Sequence, residues 1–172
     1  KYPKIFFNGC RSHAMDLVIE DIAKIPEIFE IIRKCKKITM FILDHGRVKS
    51  AYKRIASALG KGTLPRKLAD SRCAYACLLL DAIIGDNDAN VQITREMINE
   101  PDWRTSICGS FTSKTKHLIE EFEDIVTDID FYKLVKVLLK LFDILSSVCH
   151  HWETPASRAS FVYPMFCALV QD

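Results

Sequence analysis

The chain has 172 residues, 49% of them hydrophobic and 10% aromatic, and a net charge of +2. That length suits one or at most two domains with a real buried core, and the composition excludes a disordered segment. Six glycines and six prolines are too few for a sandwich of many tight turns, and the most apolar stretch, 134–148, is broken by Lys136, Lys140 and Asp143, which excludes a membrane span there.

In chain order, residues 4–8 read as one short strand and residues 12–23 as a helix. Pro26 suits the first turn of a second helix. Its apolar residues Ile28, Ile31, Ile32, Cys35, Ile38, Phe41 and Ile42 recur at the three- and four-residue steps of one helical face. Gly46 is expected to end that helix in the left-handed conformation. A third helix over 48–59 places Ala51, Tyr52 and Ile55 inward and stops at Gly60, and 60–65 is a loop. A fourth helix covers 70–84. The break 85–88 leads into a fifth helix through Asn99, with Asp88 as its cap. Residues 101–103 break the chain again. Residues 113–127 form a helix whose polar face is loaded with Glu and Asp. Asp130 is expected to cap the next helix, in which Leu134, Val137, Leu138, Leu141, Phe142, Leu145 and Val148 make one wide apolar face. Thr154 and Pro155 open a last helix, kinked at Pro164.

The expected fold is therefore mainly α: seven or eight helices in an irregular bundle with at most one short N-terminal strand. Residues 1–64 hold the strand and the basic helices, residues 65–172 the remaining helices, packed together as one globular unit. A single strand leaves its backbone groups unpaired. Either the segment is not a strand, or its sheet lies outside this chain.

Several residue clusters carry possible chemistry. Cys10 and His13 share one face of a first helical turn. They provide half of a zinc site at most, and neither Cys73 with Cys77 nor Cys149 with His150 and His151 supplies a second pair at a known spacing. No oxyanion hole accompanies Cys10 and His13 for nucleophilic catalysis. Asp86, Asn87 and Asp88 lack the Gly and the closing Glu of a calcium loop. No catalytic residue, metal site, cofactor or small-molecule substrate is assigned. The seven cysteines are odd in number and scattered, which favours a reducing compartment, with a secreted protein carrying one or two bridges as the alternative. The opening residues lack the layout of a secretory leader and begin without Met, which suggests a piece of a longer or processed chain.

Charge is segregated along the chain. Arg33, Lys34, Lys36, Lys37, Arg47, Lys49, Lys53, Arg54, Lys61, Arg66 and Lys67 are opposed within their stretch by Asp44 alone. The acids come later, at Glu120, Glu121, Glu123, Asp124, Asp128 and Asp130. Two readings stay open: contact with a phosphate backbone, and a solvated face with cations near helix C-termini. Aromatic residues are sparse in the basic stretch, so contact with DNA would be to the backbone, salt-dependent and weakly sequence-specific.

The opening segment resembles the hAT superfamily of DNA transposases, above all its plant-type and domesticated members. An extended stretch, Tyr2 to Gly9, runs into the Cys-x-x-His motif Cys10-Arg11-Ser12-His13. It is followed by Ala14-Met15-Asp16-Leu17, the acidic pair Glu20-Asp21, Lys24-Ile25-Pro26, Lys37-Ile38 and Phe41-Ile42. From Pro65 the likeness is looser. Ser71-Arg72-Cys73 stands where the family has Arg followed by Trp or Phe, so the aromatic is missing. The helices from Trp103 to Ser160-Phe161-Val162-Tyr163-Pro164 are similar to the family's helical insertion domain. The resemblance implies part of a ribonuclease H-like core joined to that insertion. In this family three acids hold two divalent metals. The first two precede the Cys-x-x-His motif, and Glu153 is the acid here nearest to where the third falls.

The implied function is a non-catalytic fragment or domesticated derivative of a hAT-like transposase, nuclear, contacting duplex DNA through its backbone or self-associating through helix faces. An all-helical protein-interaction module or secreted effector that kept the scaffold without DNA function is the alternative. A segment of an active transposase is a third.

Overall fold

The computed structural model describes residues 11–65, 74–109 and 116–153. Among them are seven α-helices and no strand: α1 (Arg11–Ala23), α2 (Pro26–Asp44), α3 (Gly46–Leu59), α4 (Ala74–Ile84), α5 (Ala89–Ile98), α6 (Lys116–Thr127) and α7 (Ile129–Glu153). A 3-10 turn at Asp86–Asp88 precedes α5, and one π turn at Trp103–Ile107 links α5 towards α6. The mainly helical fold is as the periodicity implies. The strand expected at 4–8, the helix expected after 154 and the first residues of the helices expected from 70 and 113 lie outside the described residues.

The bundle assembles around α2, which packs against α1, α3, α4, α6 and α7. Its sequence explains why. The three- and four-residue apolar spacing puts Ile32, Cys35, Ile38, Phe41 and Ile42 on a buried face, with Ile28 and Ile31 at its rim. Each fully buried aliphatic side chain contributes roughly 1.5–3 kcal/mol of transfer free energy. Around this helix an aromatic cluster forms. Phe41 stacks on Phe122 of α6 at 4.4 Å between centroids, and Trp103 tilts against Phe122 at 5.8 Å.

Helix ends depart from expectation in three places. Gly46 does not end α2: that helix stops at Asp44, His45 takes an extended conformation, and Gly46 begins α3. The turn is made by the His45 backbone, with its Nδ1–H donating 2.8 Å to the Phe41 carbonyl, so no left-handed residue is needed. Asp130 does not cap α7. Asp128 does, through an Oδ1 that accepts the Phe131 backbone N–H at 3.0 Å. The Phe131 bond, with the Lys34 charge beside it, outweighs the effect of burial and holds the Asp128 carboxyl below its ordinary value. Asp88 occupies the capping position of α5 but makes no side-chain cap bond there. Its carboxylate instead pairs with Lys136 at 2.7 Å. Gly60 does act as predicted. At φ +63 it closes α3 with its N–H on Ser57 O, and Lys61 N–H reaches Ala56 O, both at 3.2 Å.

The wide apolar face expected on α7 is divided. Phe131, Tyr132, Val135, Leu138, Phe142 and Leu145 are buried, whereas Leu134, Val137 and Leu141 face out. The two rows differ by the roughly 100° per residue of an α-helix, and neighbouring helices cover only one of them. No helix among the described residues is long and apolar enough to cross a membrane.

A candidate anion-contacting face on the third helix

α3 contains no acidic residue. Val48, Ala51, Tyr52 and Ile55 occupy its buried arc. The helical repeat therefore turns Arg47, Lys49, Ser50, Lys53, Arg54 and Ser57 to the opposite arc. Lys61 follows one residue past the Gly60 stop.

The loop carrying Lys61 is pinned by a chain of hydrogen bonds. Tyr52 donates its hydroxyl to Thr63 O at 3.0 Å. Thr63 N–H donates to Asn90 Oδ1 at 3.1 Å, and Asn90 Nδ2 donates to Ala82 O at 2.8 Å. Burial, with the nearby Tyr132 phenol adding to it, pushes the Tyr52 hydroxyl well above its ordinary value, so it remains a donor. At Gly62, where φ is +87, a Cβ would overlap Ile93 Cδ1, so only glycine lets the loop lie this close to α5.

The cations of the basic stretch fall into two groups. Those on α2 are engaged within the fold. Arg33 holds Glu30 at 2.6 Å, Lys34 approaches Asp128 at 3.6 Å and the Phe131 ring at 5.6 Å, and Lys37 pairs with Glu121. Lys36 lies over the Tyr75 ring at 4.9 Å. On α3, Arg54 grips Glu100 through both terminal guanidinium nitrogens, Nη1 and Nη2, and Arg47 donates to Ser106 O at 3.1 Å. Lys49, Lys53 and Lys61 have no ion-pair partner among the described residues. Cys10, Arg66, Lys67 and Arg72 lie outside the described residues. His13 and Glu153 fall within α1 and α7, but their side chains are not among those described.

Glu121 of α6 and Asp128, the cap of α7, thus pair with Lys37 and Lys34 of α2, the first across 84 residues, which no local pattern reveals. Sequence reasoning also missed Asn90, Glu100 and the clamp around Glu123. There Trp103 Nε1–H donates 2.7 Å and Arg104 Nε–H donates 3.0 Å to one carboxylate oxygen. Among the described residues no group of three or more His, Cys, Asp or Glu could hold a metal. Burial pushes the Cys35 thiol far above its ordinary value, and burial followed by the Glu123 charge pushes Cys108 up to about 12. Neither is a ready thiolate at neutral pH. Cys77 donates to Asp143 Oδ1 at 3.0 Å.

This arrangement can bind anions by charge: the α3 arc, to which the helix itself contributes no acid, carries Lys49 and Lys53 without an ion pair among the described residues and two tethered guanidiniums, with Lys61 just past its end. No family model, no curated protein and no solved structure matches the chain.

Proposed function

We propose that this chain is the helical interior of a hAT-like transposase or of its domesticated derivative, and that it holds the backbone of duplex DNA along α3. The role assigned is contact rather than strand cleavage, in the nucleus. The likeness of residues 1–42 to the hAT pattern supports the family, and the outward lysines of α3, a helix that contains no acid, support the role. The observation that carries the DNA contact is the set Lys49, Lys53 and Lys61, without an ion pair among the described residues, beside Arg47 and Arg54.

Titration of a labelled duplex at several salt concentrations tests it. Three lysine–phosphate contacts give a slope of log K against log salt of about −3, from roughly 0.9 per contact. Lys49→Ala with Lys53→Ala is expected to bring the slope to about −1, while Lys116→Ala on α6 leaves it unchanged. A folded chain that fails to bind at low salt, or a slope indifferent to the α3 changes, refutes the contact.

Glu100 sets a further expectation. It holds Arg54, whose side chain is otherwise largely in water. Glu100→Gln removes the competing carboxylate and is expected to steepen the same slope by about 1.

A further inference from the structure

We propose that the outward row of α7 is the docking seam for an amphipathic helix of a partner protein whose flanks carry Glu or Asp. The row is Leu134, Val137, Leu141 and Ile144, with successive steps of three, four and three residues, the spacing of a two-helix seam. Leu134, Val137 and Leu141 are 50%, 63% and 37% exposed, and Ile144 is half-buried. Single exposed apolar residues are ordinary on a protein surface. A contiguous row over three turns of one helix is not. It presents the three anchors at i, i+3 and i+7 by which a groove or face reads a helical ligand.

Charge selects the occupant. Lys133, Lys136 and Lys140 run along one edge of the row at the same three- and four-residue spacing. Lys140 has no ion-pair partner among the described residues, and the pairs Lys133–Asp130 and Lys136–Asp88 are exposed and of little strength. Beyond that lysine edge lies a groove of about 360 Å³ between α5 and α7, where Lys133 and Lys136 form one wall and Arg95 another, with Asp88 and Glu96 also lining it. The guanidinium of Arg95 lies over the Tyr132 ring at 5.2 Å. A partner helix seated on the row therefore meets cations along one flank. A second copy of this chain brings the same lysine edge and is repelled. An anionic membrane is a poor match, because the apolar strip is narrow and Asp88 and Glu96 line the same groove.

The test uses the whole chain and two synthetic three-heptad peptides with Leu at the seam positions. One carries Glu at the flanking positions and the other Lys. Fluorescence anisotropy is expected to show the Glu peptide binding about tenfold more tightly than the Lys peptide. Val137→Asp, at an exposed position that leaves the core untouched, is expected to abolish binding, and Lys133→Glu with Lys140→Glu to reverse the preference. Equal binding of the two peptides, binding that survives Val137→Asp, or no binding of the Glu peptide overturns the proposal. So does a dimer in sedimentation equilibrium that Val137→Asp dissolves, or capture by anionic vesicles without capture of the Glu peptide.

Discussion

Replacing Trp103 by alanine is expected to lower the unfolding free energy by about 3–5 kcal/mol, the range for deleting a large buried aromatic. Trp103 is almost wholly buried, its ring packs on Phe122 and lies 6.4 Å from Phe41, and its indole N–H is spent on Glu123. The alanine leaves a void at the junction of α2, α6 and the π turn, and takes one donor from a carboxylate that Arg104 alone then serves. Trp103→Phe keeps most of the ring and loses only that donor, so it is expected to cost about 1–2 kcal/mol. Urea denaturation of the three chains separates the two terms. A Trp103→Ala chain within about 1 kcal/mol of the parent contradicts the packing described. Acid unfolding checks the polar part. Burial raises the Glu123 carboxyl, but the bonds from Arg104 and Trp103 together outweigh burial and hold it below its ordinary 4.5. A carboxyl lowered in the folded state contributes stability that is present above its unfolded value and is lost as the pH falls through its folded value. Glu123→Gln is therefore expected to flatten the decline in stability below about pH 4.5 and to cost stability at neutral pH.

Asn90→Ala is expected to cost about 2–4 kcal/mol. The side chain is buried, and it bridges two segments: the loop after α3 through Thr63 N–H, and the end of α4 through Ala82 O. Removing it strands one donor and one acceptor, each costing roughly 1–3 kcal/mol when shielded from water. Asn90→Asp keeps the acceptor for Thr63 but loses the donor to Ala82 and places a charge among apolar groups. It is expected to be at least as harmful at neutral pH, and less so in acid, where the carboxyl can protonate and donate. Thermal unfolding at pH 7 and at pH 4 distinguishes the cases. Equal loss for Asn90→Asp at both values argues against the bridge. Because the loop also carries Lys61, Asn90→Ala is further expected to weaken duplex binding modestly without changing the contributions of Lys49 and Lys53.

The regular part of this architecture was written in residue spacing. The α2 stripe from Ile32 to Ile42 and the inward triad Ala51, Tyr52 and Ile55 both lie where a 3.6-residue period puts them. Helix ends were less legible, because they depend on which nearby group takes the loose amide. Asp128 and Asp130 are chemically equal candidates two residues apart, and only the approach of the Phe131 N–H decides between them. The division of α7 into a buried and an outward row was not legible, since Leu134 and Leu138 are the same residue type and differ only in what lies opposite. The candidate site was half legible. The run of cations was plain from Arg33 to Lys67, but which of them stay open depends on Glu121 and Asp128, which take Lys37 and Lys34 of α2, and on Glu100, which takes Arg54 of α3, all brought by folding from far along the chain.

The position of α2 at the centre of the bundle has a consequence during synthesis. Translation delivers α2 early, while Glu121 and Phe122, which cover one side of it, are made about eighty residues later. Until they leave the ribosome, the flank of α2 around Phe41 that α6 covers stays open. Nascent chains of intermediate length therefore present a sticky helical flank, the kind of surface that molecular chaperones shield.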